Sequence, residues 1–285
     1  MLHLSTPIAC YDTLLREGLP LKLGHCSEGK SIWLLNIMPL KQDTEADLCR
    51  MLAASGETIN LTLIKFPGQT YKSTPQAYVE EHYMDFDAEA MHQHIDGLIL
   101  TGAPLEHMDF EQVRYWPELC QLMEWSKTHA GSTLNICYAA QAALYYHHRV
   151  PKHDIPQKMF GVFAHQVQDE HHPLMEGLSP QFPMPHSRHT EVRKEDFPPT
   201  VKVLAESPIS GIGLAIDELA RQVFDTGHLE YALDTLDREY RRDLNKGLPI
   251  APPVGYYHHD APEAGIDFSW QQAALTFYSN WVRHL

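Results

Sequence analysis

Two short segments hold residue types that do nucleophilic chemistry when they meet. In residues 132–146 (STLNICYAAQAALYY) an apolar strand pattern ends at Cys137, and a helical pattern starts with Tyr138, Ala139, Ala140 and Gln141. A thiol at such a strand-to-helix turn projects from the carboxyl end of a sheet, where the helix N-terminus favours its anion. The backbone N–H of Tyr138 would then point at an oxyanion formed on the attacked carbonyl. The second segment, Asp225-Thr226-Gly227-His228-Leu229-Glu230, sets an imidazole and a carboxylate two positions apart after another strand pattern. Extended residues i and i+2 share a face. Glu230 is therefore expected to hold His228 in the tautomer that accepts a proton from a thiol or hydroxyl, a Cys-His-Glu triad. Taken singly, the cysteine reads equally well as a buried core thiol and the His-Glu pair as a solvated turn. Their conjunction points to chemistry.

The elements that must position these residues follow an alternating pattern. Residues 31–38, 59–66 and 97–100 read as strands, and residues 44–54 read as a crossover helix with Thr44 as its N-cap. A second helical pattern after Pro117 leads through Gly131 to a strand at 132–136. Strands alternating with helices imply an α/β fold with a mostly parallel sheet sandwiched by helices. Residues 201–207, 211–218 and 221–227 read as short strands joined by tight turns, which adds antiparallel strands near the C-terminus; residues 229–243 read as a helix and 247–255 as a loop. Without repeats or linkers, residues 1–285 are expected to form one domain, with 1–30 as an N-terminal arm.

Bulk properties narrow the partners. The formal charge of −15 disfavours nucleic acid and anionic membranes, which need concentrated basic surface. No apolar run is long enough for a membrane span, and residues 1–10 lack a basic region followed by an apolar run, so the expected location is cytoplasmic. The five cysteines are odd in number and show no CxxC pair, which fits a reducing compartment. Nineteen histidines, including the doublets at 147–148, 171–172 and 258–259, lack Cys or carboxylate neighbours at ligand spacing, so no metal is expected.

The elbow and the His-x-Glu segment, in this order, resemble the class I glutamine amidotransferase-like (flavodoxin-like) fold, whose elbow pattern is Gly-x-Cys-x-Gly-x-Gln. Here it reads Asn135-Ile136-Cys137-Tyr138-Ala139-Ala140-Gln141, with both glycines replaced. The segments NIMPLKQDTE (36–45), DGLILTGAPLE (96–106), YWPEL (115–119), PHSR (185–188) and TGHLEY (226–231) together resemble the homoserine O-acyltransferases built on that fold. The resemblance runs from about residue 31 to the end. It implies two half-reactions: Cys137 takes an acyl group from acyl-CoA, and His228 then deprotonates the amino-acid hydroxyl that attacks the acyl-enzyme. It places a second oxyanion donor in the backbone at Gly102 and Ala103, and acceptor contacts at Lys158, Ser187 and Arg242. No permanently bound cofactor is implied, the acyl-CoA being a co-substrate, and a homodimer is suggested by analogy.

The same resemblance assigns donor choice to Glu106, since glutamate there accompanies acetyl-CoA and glycine succinyl-CoA. A fixed carboxylate fills space and repels the free carboxylate of a succinyl group. The expected reaction is acetyl transfer to L-homoserine in methionine or cysteine biosynthesis. Leu229 and Ala232 depart from the usual TGHPEYD, so L-serine, one methylene shorter, stays open as acceptor. A succinyl donor, a glutaminase or γ-glutamyl hydrolase sharing the triad, and a non-catalytic binding protein are the further alternatives.

Overall fold

The computed structural model describes residues 1–105 and 107–285. In chain order its elements are β1 (Leu2–Leu4), α1 (Tyr11–Arg16), β2 (Leu21–Leu23), β3 (Lys30–Leu35), α2 (Lys41–Ala54), β4 (Ile59–Lys65), α3 (Gln76–His82), β5 (Met84–Asp85), β6 (Ile95–Leu100), α4 (Trp116–His129), β7 (Ala130–Ile136) and α5 (Tyr138–His148). There follow β8 (His153–Val167), β9 (Gln181–Glu191), β10 (Val201–Ser207), β11 (Gly211–Asp217), β12 (Gln222–Asp225), α6 (Thr235–Asn245) and α7 (Gln271–Arg283).

Among the described residues these strands form one sheet in the order β2-β1-β4-β3-β6-β7-β12-β11-β10-β8-β9, with β5 added beside β4. Every pairing from β2 to β12 is parallel, and every pairing from β12 to β9 is antiparallel. The parallel part carries helices on both faces, as its apolar strands require. Side chains of β3 alternate between the two faces: Ile32 and Leu34 join the core under α2 and α7, whereas Trp33 and Leu35 join the core under α4 and α5. The expected α/β architecture with added antiparallel strands is present.

Several local expectations are corrected. Residues 1–30 contribute β1 and β2, which extend the parallel sheet beyond β4. The helix expected from Thr44 begins at Lys41 with Leu40 at the cap position, so Thr44 is buried one turn inside it. The helix expected over 229–243 starts at Thr235; residues before it form turns. The long β8–β9 hairpin has no alternating signal because prolines and polar residues interrupt it, including Pro156, Pro183 and Pro185. None of the helices among the described residues is long and apolar enough to cross a membrane.

Candidate active site

The close packing of α5 on the sheet comes from small residues: Ala139, Ala140, Ala142 and Ala143 are all buried. This lets the chain turn abruptly from β7 into α5 at Cys137, whose φ of 52° and ψ of −109° lie where a non-glycine residue is strained. The turn is held by the Cys137 N–H donating to the Asp225 carbonyl at 2.6 Å, which ties the elbow to the end of the neighbouring strand β12. Cys137 and the segment bearing His228 are thus fixed to each other by backbone.

From β12 the chain passes through Gly227, where a Cβ would come 2.7 Å from the Pro185 carbonyl oxygen, so only glycine fits without a shift. The next N–H, of His228, donates to that same carbonyl at 2.9 Å. His228 Nδ1 lies 2.7 Å from Glu230 Oε1, and both side chains are buried. The pairing arises in a turn, with the Tyr231 N–H donating to the His228 carbonyl at 3.2 Å, and not from two extended residues sharing a strand face as expected. The imidazole stacks on the Tyr231 ring at 4.0 Å and 12°, and it lines the same cavity as Cys137. Burial opposes charge on His228, but the Cys137 sulfur and the Glu230 carboxylate together outweigh it and hold the imidazolium pKa well above the ordinary value.

Gly102, just after β6, completes the centre. A Cβ there would lie 3.4 Å from Cys137 Cβ and 3.5 Å from His228 Cε1, so the backbone passes directly beside both side chains. Gly102 and Ala103 line a cavity of about 600 Å3 together with Cys137 and His228. Tyr138 is the first residue of α5, so its N–H belongs to the unpaired first turn of that helix.

The opposite wall carries Lys158, Ser187 and Arg242, all of which line this cavity. Phe160 pairs with Ser187 across the hairpin, and Lys158, in the irregular stretch before Met159, places its Nζ 4.2 Å from the Phe160 ring centroid. Glu239, which no sequence motif singles out, joins them: its Oε1 accepts from Ser187 Oγ at 2.7 Å and Lys158 Nζ at 2.5 Å, with Arg242 3.6 Å away. Arg242 itself makes a two-point contact with Asp243 at 2.7 and 2.9 Å. Its i, i+3 spacing from Glu239 on α6 is the available signal. Glu106 lies outside the described residues. Leu229 is fully buried, and neither it nor Ala232 lines the cavity.

Around Glu230 further carboxyl groups gather, Asp225 from the same segment and Asp47 from α2. Asp225 Oδ1 accepts from the Gly227 N–H at 2.9 Å, while Asp225 Oδ2, Glu230 Oε2 and the Tyr278 hydroxyl are buried without a hydrogen-bond partner among the described residues. Burial and then the nearby Glu230 charge push the Asp225 carboxyl up to about 8, and the same two causes push Asp47 up to about 7. Asp225 is therefore held mostly in its neutral form near neutral pH.

A parallel sheet with a strained cysteine elbow and a His-Glu pair on the adjacent strand end defines the class I glutamine amidotransferase-like fold. Solved structures of that class align over nearly the whole chain. A glutamine amidotransferase from Thermotoga maritima matches with a TM-score of 0.60 at 12% identity, covering 91% of this chain and 99% of that one. A glutamine amidotransferase from Methylobacillus flagellatus matches with a TM-score of 0.57 at 13% identity, covering 90% and 95%. Within this fold the chain belongs to the acyltransferase family described as homoserine O-succinyltransferase, whose model matches residues 27–285. It is 45% identical over 255 residues to the homoserine O-acetyltransferase of Bacteroides thetaiotaomicron, covering 89% of this chain and 83% of that protein. The homoserine O-acetyltransferase of Parabacteroides distasonis is 46% identical over 253 residues, covering 88% and 81%.

Proposed function

We propose that this enzyme transfers an acetyl group from acetyl-CoA, through a thioester on Cys137, to the side-chain hydroxyl of L-homoserine. The observation that carries the reading is the strained elbow cysteine lining one cavity with His228, whose imidazole is held by the buried Glu230. In the first half-reaction the Cys137 thiolate attacks the thioester carbonyl. The bond from that carbon to the CoA sulfur breaks, and the departing thiolate takes the proton held on His228. In the second, His228 accepts the proton of the acceptor hydroxyl as its oxygen attacks the acyl-enzyme, and the Cys137 sulfur leaves. Backbone N–H groups at Tyr138 and at Gly102–Ala103 receive the oxyanion in both.

Lys158, Ser187 and Arg242 are the proposed acceptor contacts, with the guanidinium suited to an α-carboxylate. Homoserine is favoured over serine because the two departures that raised serine, Leu229 and Ala232, do not line the cavity. Acetyl is favoured over succinyl by Glu106, and the relatives named above are acetyltransferases. A glutaminase is disfavoured by the replaced elbow glycines: Asn135 instead donates through Nδ2 to Gln222 Oε1 and the Val223 carbonyl, both at 3.1 Å, knitting β7 to β12. Incubation with acetyl-CoA followed by intact-mass measurement is expected to give a single acetyl adduct that Cys137→Ala abolishes. An unmodified protein that nevertheless turns over, or release of ammonia from glutamine, defeats the reading. For the donor, Glu106→Gly is expected to shift a competition assay toward succinyl-CoA.

A further inference from the structure

A second cavity of about 320 Å3 adjoins the first, and Met38 and Pro39 line both. The segment that follows β6 also walls both, with Pro104 and His107 in the first cavity and Leu105 and Met108 in the second. The charge of the second cavity is opposite to that of the protein. The chain has 37 acidic residues against 22 Lys and Arg, yet this cavity is lined by Lys41, Lys65, Lys72 and Arg114 and, among the described residues, by no Asp or Glu. A concentration of cations within an acidic surface focuses the local potential on anions.

The four cations are not equivalent. Lys65 is paired with Asp85, and Lys41 is buried, donates to the Asn36 carbonyl and sits 4.8 Å from the Tyr71 ring centroid. Burial, only partly offset by Glu45, lowers the Lys41 ammonium to about 8, so an anion in this cavity would stabilise its charge. Lys72 and Arg114 are exposed at the rim and make no ion pair among the described residues. Apolar walls from Leu35, Phe66 and Val113, with Tyr115, complete a cavity that suits a ligand carrying both apolar length and phosphate charge.

We propose that this second cavity holds the phosphate-bearing nucleotide end of the acyl-CoA donor, with Lys72 and Arg114 contacting its phosphates while the thioester reaches Cys137. The inference rests on the acyl-CoA reading of the first cavity. It assigns two specificity contacts for the donor that lie outside the triad and the acceptor wall.

Calorimetric titration of the full chain with adenosine 3',5'-bisphosphate, with inorganic pyrophosphate as a parallel arm, tests it. The nucleotide is expected to bind in competition with acetyl-CoA. The Lys72→Gln/Arg114→Gln double variant, whose changes are at exposed positions, is expected to weaken that binding by about tenfold or more, as loss of charged hydrogen bonds does. The ratio of kcat/KM for acetyl-CoA to that for S-acetyl-N-acetylcysteamine, a thioester without phosphates, should fall by a similar factor. Absence of nucleotide binding, unchanged affinity in a double variant with wild-type thermal melting, or binding that acetyl-CoA does not displace overturns the proposal. Pyrophosphate binding without nucleotide binding overturns it in favour of a free-anion site. Nucleotide binding that depends on Lys72 and Arg114, with Cys137 left unacetylated by acetyl-CoA, upholds the anion site and overturns the donor reading instead.

Discussion

The two walls of the main cavity are built on different physics. On one side, β7, α5, β12 and the backbone of β9 hold Cys137 and His228 through hydrogen bonds and close packing, with the Cys137 N–H on the Asp225 carbonyl and the His228 N–H on the Pro185 carbonyl. On the other side, Lys158 from β8, Ser187 from β9 and Arg242 from α6 are gathered by a single carboxylate, Glu239, and by Asp243. The first wall has one arrangement, because its geometry is set by main chain. The second consists of polar side chains whose partners can be exchanged for a ligand's charges. A rigid Cys137 facing an adaptable polar wall is what the proposed two-step transfer requires, where a covalent centre must stay in register while donor and acceptor alternate.

The sharpest way to break the rigid wall is to remove the charge that orients its base. Glu230→Gln keeps the shape, but an amide can stabilise the wrong imidazole tautomer, so kcat is expected to fall by about 10^4-fold. Ring titration by NMR should show the His228 pKa dropping, because burial is then opposed by Cys137 alone. A pKa and rate equal to wild type would separate Glu230 from the mechanism. The adaptable wall is probed by Glu239→Ala, which releases Lys158 and Ser187 from their shared partner. KM for the acceptor is expected to rise about tenfold, the usual scale for losing a charged hydrogen bond. Acetyl-enzyme formation, followed by mass, serves as the internal reference; an equal loss there would show that the two walls are not independent.

The smallest effect concerns the support behind the rigid wall. Asp225 titrates at an ordinary 3.8 when unfolded and at about 8 when folded, so the native state holds its proton longer. Across that window the folded protein binds more protons than the unfolded one, and stability falls as pH rises. Asp225→Asn cannot titrate and removes this decline. Urea midpoints should therefore favour the variant increasingly from mildly acid to alkaline solution, and parallel midpoint curves for the two proteins would refute the assignment.

Legibility in the sequence follows locality. The elbow is readable because a strand pattern, one cysteine and a run of small residues are contiguous, and the parallel sheet is readable because its strands are apolar on both faces. His228 and Glu230 are readable as a pair, although the turn that joins them looks extended in sequence. The hairpin β8–β9 is not readable, since proline-interrupted polar strands carry no period, and with it the register that sets Phe160 beside Ser187 stays hidden. The β1 and β2 additions to the sheet edge escape detection because three-residue strands are too short to show alternation.

What the sequence determined by itself was the family, the elbow cysteine and the pairing of His228 with Glu230, all of which reside in contiguous motifs that depend on residue type and near spacing. Only the tertiary structure decided the rest. Gly102 passes beside Cys137 and His228 because β6 pairs with β7. Glu239 becomes the shared partner of Ser187 and Lys158 because α6 folds over a hairpin more than fifty residues away in sequence. Asp225 turns into a neutral acid because burial and a neighbouring charge, not its own sequence neighbours alone, set its proton affinity.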